Sequence, residues 1–98
     1  MGTIQKTVQV EGGQFRNKAT GELVAAVRWL KDGDHPQVVR YPIEGRGYKG
    51  LLVRGPKEKY ALVFGDWIVE DAEGNALYVV DAARFSQQYE PHTPEVTA

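Results

Sequence analysis

The sequence contains no cysteine and only one serine, and none of its apolar runs exceeds five residues. The absence of cysteine excludes disulfides, Cys-ligated zinc, iron–sulfur clusters and thiol catalysis. A membrane-spanning helix needs about 20 apolar residues in succession, far more than residues 23–27 provide. The first residues also lack the apolar core of a signal peptide. We therefore expect a cytoplasmic protein.

The chain is small and of ordinary composition. It has 98 residues, of which 42% are hydrophobic and 26% charged. Domains are typically about 100–150 residues long, so we expect a single globular domain over residues 1–91. The last residues combine two prolines with few apolar side chains, and we expect residues 92–98 to form a flexible tail.

Short alternating segments, separated by glycine, proline and aspartate, are typical of strands joined by turns. Ile4 to Val10 alternates apolar with polar residues and predicts a strand that ends at Gly12 and Gly13. The polar residues after Phe15 predict a hairpin turn. Further strands are predicted in residues 23–30, 38–41, 48–54, 59–64, 67–70 and 76–80.

A different pattern begins at Asp81. Ala82, Phe85 and Tyr89 are three and four positions apart, which predicts an amphipathic helix over residues 81–89. The fold class is therefore mainly β (α+β): a strongly curved antiparallel sheet or barrel of about six strands with one short C-terminal helix. The aromatic residues expected in the core are Trp29, Phe64, Trp67 and Phe85.

Few residues are suited to catalysis. Ser86, the one serine, lies in the predicted helix and no Gly-x-Ser-x-Gly motif occurs. Asp66 and Glu70 form a possible carboxylate pair, but both fall at strand ends, where solvated acids are usual. We expect no catalytic residue.

Metal binding is a weak alternative. Asp32, Asp34, His35 and the distant His92 are potential ligands, whereas a transition-metal site needs three or four that converge. A turn explains the Asp-Gly-Asp-His-Pro sequence equally well. We expect neither a metal nor a cofactor.

Charge is distributed unevenly along the chain. Residues 40–59 have a net charge of +4 and residues 60–98 a net charge of −6. The favoured interpretation is that the two segments form neighbouring strands and neutralise each other; the alternative is that each faces a partner. The basic segment also interleaves tyrosines with cations, as single-stranded nucleic-acid binders do. Its candidate nucleic-acid-binding residues are Arg40, Arg46, Tyr48, Lys49 and Arg54.

Several motifs are similar to a family of small phage and prophage proteins. The segments Phe64-Gly65-Asp66-Trp67-Ile68-Val69 and Tyr89-Glu90-Pro91, with Gly74, Tyr78 and Phe85 between them, resemble the C-terminal motifs of PGDYG proteins. Trp29 and Gly33-Asp34-His35-Pro36, followed by Val38, resemble their front half. Phe64 replaces the motif's proline, and the approach to the helix lacks the usual basic, proline-containing residues. The resemblance implies a phage or mobile-element origin, but no biochemical activity.

Together these features predict a non-enzymatic binding module in a bacterial host cell. It would act on a host or defence protein as an inhibitor or adaptor, and nucleic-acid binding is the alternative. Gly65 and Asp66 are expected to form a structural turn, because glycine permits positive φ and aspartate can accept a hydrogen bond from the backbone two residues later. The predicted partner-binding residues lie in the acidic, aromatic C-terminal half: Trp67, Glu70, Asp71, Glu73 and Tyr78.

Overall fold

The structure, a computed structural model, describes residues 12–92. These residues form eight strands and one helix. In chain order the elements are β1 (Gly12–Asn17), β2 (Leu23–Arg28), β3 (Val38–Arg40), β4 (Gly50–Val53), β5 (Lys59–Leu62), β6 (Trp67–Glu70), β7 (Ala76–Val80), α1 (Ala82–Gln88) and β8 (Tyr89–Pro91).

The strands are arranged in two antiparallel sheets. One has five strands in the order β7-β6-β2-β1-β8, and the other has three in the order β3-β4-β5. Within residues 12–92, neither sheet closes into a barrel. The predicted mainly β class with a short C-terminal helix is thus confirmed, with eight strands described in place of about six.

Two clusters of buried residues hold these layers together. Between the sheets, Trp29 and Ile68 pack with Leu52 and Leu62, which are completely buried. On the opposite side of the five-stranded sheet, Phe85 of α1 packs with Val69 and Tyr89. Since β6 contributes Ile68 to one cluster and Val69 to the other, the five-stranded sheet is covered on both sides there.

The helix begins and ends where its sequence pattern predicts. The Asp81 side chain accepts a hydrogen bond from the Arg84 N–H at 2.8 Å, which caps the first turn. Phe85 and Tyr89 are buried and Ala82 is half-buried, as expected for one stripe of an amphipathic helix.

The first described strand corrects the prediction for Gly12, Gly13, Arg16 and Asn17. The two glycines belong to β1 rather than to a strand end, and Arg16 and Asn17 are its last residues rather than part of the turn. A Cβ on Gly12 would lie 2.8 Å from the Ala26 carbonyl oxygen, so this glycine permits close approach of β2 instead of interrupting the sheet. The predicted strand over residues 4–10 lies outside the described residues.

The segment after the helix also differs from the prediction. The sequence predicts no strand beyond residue 80, yet Glu90 and Pro91 belong to β8 and pair with β1. The His92 N–H continues this pairing by donating to the Gln14 carbonyl oxygen at 2.9 Å. Backbone hydrogen bonding to β1 compensates for the polar composition here. Residues 93–98 lie outside the described part of the chain.

Two further expectations are wrong. Phe64 was expected in the core, but it is 46% exposed, and its ring contacts that of Trp29 with 4.9 Å between the centroids. The strands of the basic segment also do not pair with β6 and β7 of the acidic segment, because the two sets belong to different sheets. The charged segments therefore do not neutralise each other as paired strands.

Gly50 is required by the close approach of Trp29. A Cβ at this position would lie 2.5 Å from the Trp29 Cη2 atom and 2.8 Å from Val38 Cγ1. We expect Gly50→Ala to lower the free energy of unfolding by about 1–3 kcal/mol through overpacking. Urea titration measures this change, with Gly55→Ala as the control because no atom lies within 4 Å of a Cβ there. Equal midpoints for the two variants would contradict this packing.

Candidate binding surfaces

The five predicted partner-binding residues are not gathered on one surface. Trp67 stacks on Phe85, with 4.3 Å between the ring centroids and 6° between their planes. The Tyr78 hydroxyl hydrogen-bonds to that of Tyr89 at 2.8 Å. Burial and this hydrogen bond raise the pKa of Tyr78 to about 12. Both rings therefore contact other aromatic residues on the helix side of the sheet, and Tyr78 is still 37% exposed.

The acidic members of the set are separated as well. The Asp71 carboxylate accepts hydrogen bonds from the Glu73 and Asn75 N–H groups, both at 2.9 Å, and so closes the β6–β7 turn. These bonds, led by that from Asn75, lower the pKa of Asp71. Glu73 itself is exposed at the tip of the turn.

Glu70 is engaged by a buried histidine. His35 is 2% exposed, and its Nε2 atom lies 2.7 Å from Glu70 Oε2. The Gln37 N–H can only donate, and it points to His35 Nδ1 at 3.1 Å. The hydrogen of the imidazole is therefore on Nε2 and is donated to Glu70. This pair fastens the loop between the two sheets to β6.

The turn at Gly65 and Asp66 is tied to the core. Gly65 has a φ of 107°, in the region that favours glycine. The Gly65 N–H donates to the Trp29 carbonyl oxygen at 2.7 Å. The Asp66 carboxylate accepts the N–H of Val63, three residues before it, at 2.9 Å. The expected bond to a residue two positions later is not the one formed, because the side chain folds back across the turn.

Asp66 provides a prediction about pH. Burial raises the pKa of its carboxyl group, the Val63 N–H opposes the shift, and the neighbouring Asp81 adds to it. A raised folded-state pKa means that ionisation opposes folding, and this penalty grows as the pH rises from the unfolded pKa of about 3.9 through the folded value. Because asparagine can keep the Val63 bond without a charge, Asp66→Asn is expected to be slightly more stable at neutral pH.

Thermal unfolding at neutral pH and at about pH 3 tests this expectation. The gain should remain within about 0.5 kcal/mol and should disappear in acid. A clear loss of stability at neutral pH would mean that the turn needs the carboxylate charge.

The most apolar exposed surface lies on the three-stranded sheet. Side chains alternate along each strand, so the side of the sheet opposite the buried Leu52 and Leu62 faces away from the other layer. Val39 is opposite Leu51, which is opposite Ala61, and Val53 is opposite Lys59. We call this the outer face; its residues are Val39, Lys49, Leu51, Val53, Lys59, Ala61 and Val63.

The outer face is exposed to a degree unusual for aliphatic side chains. Val39 is 53% exposed, and Val53 and Val63 are each 41% exposed. This surface was not among the sequence-based predictions. The signal was present, because residues 51–53 and 61–63 are apolar at successive positions, and only one side of a strand can contact the core between two sheets.

The predicted nucleic-acid-binding residues divide into two groups. Arg40, Tyr48 and Lys49 line a cavity of about 670 Å³ in the loop after β3, where the rings of Tyr41 and Tyr48 lie 5.3 Å apart. Arg46 is exposed in the same loop. Arg54 follows the opposite end of β4 and pairs with Glu58, with 3.3 Å between Nη1 and Oε1.

Asp34 and His35, considered above as metal ligands, form hydrogen bonds within the fold instead. Asp34 accepts the Leu30 and Lys31 N–H groups at 3.0 and 3.1 Å, and the Lys31 ammonium at 2.7 Å. Burial opposes ionisation, but these bonds outweigh it and lower the pKa of Asp34. Both His35 nitrogens are hydrogen-bonded. Within residues 12–92, no three histidine, aspartate or glutamate side chains are grouped to hold a metal ion.

No protein-family model, curated protein or solved structure gives a significant match to this chain. In the part of the chain that the structure describes, no helix has the length and apolarity needed to cross a bilayer.

Proposed function

We propose that the protein is a non-enzymatic binding module that acts through protein–protein interaction. The outer face of the three-stranded sheet carries this proposal, because Val39, Val53 and Val63 are exposed there around the half-buried Leu51. Contiguous exposed apolar side chains are typical of interaction surfaces. The predicted residues of the C-terminal half support binding less well, since their carboxylates, rings and hydroxyls mostly contact other parts of the fold.

The chemistry of the outer face favours an apolar partner surface bordered by carboxylates. Lys49 and Lys59 lie among its aliphatic side chains, and residues 40–59 have a net charge of +4. Apolar contact would supply affinity, while the lysines would orient the partner and accelerate encounter. The expected partner is therefore a protein with an acidic rim.

The origin of the partner is proposed from the family resemblance. The motifs around Gly65-Asp66-Trp67 and Tyr89-Glu90-Pro91 resemble PGDYG proteins of phages and prophages. We infer action in the cytoplasm of a bacterial host, on a host or defence component, as an inhibitor or adaptor.

Nucleic-acid binding is a second candidate, favoured by the cavity in the loop after β3. Tyr41 and Tyr48 would stack against bases, and Arg40, Arg46 and Lys49 would contact the phosphates. Such binding would weaken steeply with salt, because each neutralised phosphate releases counterions. An interface of aliphatic side chains would depend on salt much less.

Affinity capture from a bacterial lysate, with and without nuclease, tests the proposed function. Wild type, Val39→Asp and Leu23→Asp are compared. Leu23 lies on the other sheet and is 48% exposed, so it is a matched control for Val39 at 53%. We expect one acidic protein to be captured by wild type and Leu23→Asp, to be reduced about tenfold or more by Val39→Asp, and to persist after nuclease treatment.

Two results would contradict the proposal. Equal capture by Val39→Asp and wild type would remove the outer face from the interaction. Loss of all captured material on nuclease treatment, with a steep salt dependence, would favour the nucleic-acid candidate instead. Urea midpoints of both variants establish that folding is unaffected.

A further inference from the structure

A cavity of about 470 Å³ lies between α1 and the five-stranded sheet, away from the outer face. Phe15, Trp67, Phe85 and Tyr89 form its aromatic wall, and Lys18 and Arg28 lie in its lining. This volume is within the range of sites for small organic molecules.

The aromatic wall is a continuous stack. Trp67 and Phe85 are parallel within 6°, and Phe85 continues to Tyr89 at 4.9 Å between centroids. Phe15 meets the rings of Trp67 and Phe85 edge-on, at 77° and 80°. Trp67 is half-buried. The wall therefore combines a rigid packed base with ring surface at the cavity, which suits a planar apolar group.

Among the described residues that line the cavity, Lys18 and Arg28 are cations and Glu90 is the one carboxylate. Arg16 pairs with Glu90 at 3.0 Å. The Arg28 guanidinium carbon lies 5.9 Å from the Trp67 ring centroid, and its Nε donates to the Gly65 carbonyl oxygen. Lys18 donates one ammonium hydrogen to the Ser86 carbonyl oxygen at 3.1 Å, and an ammonium has three to give. The cavity thus places two cations beside an aromatic wall.

We propose that this cavity binds a small aromatic anion, with its ring against Trp67 and its carboxylate, sulfonate or phosphate near Lys18 and Arg28. The two cations select an anion over a neutral ring, and the aromatic wall selects a ring over an aliphatic acid. The site is separate from the proposed protein-binding surface, so either can fail without the other.

Anilinonaphthalene sulfonate, a fluorescent aromatic anion, is a suitable probe, and N-phenylnaphthylamine is its uncharged counterpart. Native protein is titrated with each. We expect one saturable site for the sulfonate and weaker binding of the neutral compound. Lys18→Gln should weaken sulfonate binding roughly two- to fivefold, as expected for an exposed cation, and leave the neutral compound unchanged. Lys57→Gln, a cation outside the cavity, is the matched charge control.

A second pair of variants tests the location. Ser86 lines the cavity, whereas Ala83 lies on the same helix, is exposed and is not part of the lining. Ser86→Phe should therefore abolish binding of both compounds, and Ala83→Phe should not. Urea midpoints show whether each variant is folded.

The proposal is overturned if native protein does not bind the sulfonate, or if Ser86→Phe and Ala83→Phe bind it equally. It is also overturned if the sulfonate binds the outer face, which a loss of binding in Val39→Asp would reveal. An equal affinity for the charged and uncharged compounds, unaffected by Lys18→Gln, would reject the anion preference.

Discussion

Phe85→Ala is expected to lower the free energy of unfolding by about 3–5 kcal/mol, a large share of the roughly 5–10 kcal/mol available to a domain of this size. Phe85 is 4% exposed and its ring contacts those of Phe15, Trp67 and Tyr89. Removing it would leave a cavity at the centre of this aromatic cluster. A seven-residue helix is also too short to be stable alone, so its order depends on this contact.

Urea titration followed by circular dichroism measures this loss. Ser86→Ala is the neighbouring control, because Ser86 is exposed and its hydroxyl donates back to the Ala83 carbonyl oxygen of the same helix. We expect the control to remain within about 0.5 kcal/mol of wild type. An unchanged midpoint for Phe85→Ala would instead make Phe85 a surface anchor for a partner.

His35→Ala is expected to cost about 2–4 kcal/mol. The substitution removes a buried ring, leaves the Gln37 N–H without its acceptor and deprives Glu70 of its donor at 2.7 Å. Glu70 is largely buried, with 14% of its side chain exposed, so the unpaired carboxylate adds to the loss. The effect should be global, because His35 joins the loop between the sheets to β6.

Glu70→Gln separates the hydrogen bond from the charge. Glutamine keeps an acceptor for His35 Nε2, and we expect this variant to lose less than about 1 kcal/mol. If His35→Ala unfolds at the same urea concentration as wild type, the pair does not hold the two sheets together. A loss for Glu70→Gln as large as that for His35→Ala would mean that the pair depends on the carboxylate charge.

Short sequence patterns correctly predicted the elements that are bounded by characteristic turn and cap residues. The turns at residues 55–58 and 71–75 and the cap at Asp81 contain the residues that their backbone conformations require, and β5, β6, β7 and α1 follow accordingly. The stripe of Phe85 and Tyr89 also identified the buried side of the helix.

Features that depend on distant contacts were not predicted. In the sequence, Gly12 suggests the end of a strand. Only the close approach of the Ala26 carbonyl oxygen shows why glycine is needed there. Pro91 indicates the end of a helix. Pairing with the edge of β1 nevertheless places Tyr89, Glu90 and Pro91 in a strand. His35 precedes a proline in a polar turn, and nothing local indicates that Glu70, 35 positions away, covers it.

The same limit applies to the candidate surfaces. Composition identified the basic and acidic segments, but the sheet topology decides which of their side chains are bonded within the fold and which are exposed. Asp71 and Glu70 are engaged, whereas Val39 and Val53 are exposed because their sheet uses its other side for the core. Short segments of sequence do not determine how the strands divide between two sheets. This division is why the candidate site lies on the outer face rather than in the C-terminal half.

Methyl-group NMR of the protein, titrated with its captured protein partner, tests the central claim most directly. The outer-face account predicts shifts or broadening at the methyls of Val39, Leu51, Val53 and Val63. It predicts little change at Val24 and Leu77, which pack against the buried cluster that contains Phe85. Perturbation confined to Val24 and Leu77, with the outer-face methyls unaltered, would contradict it.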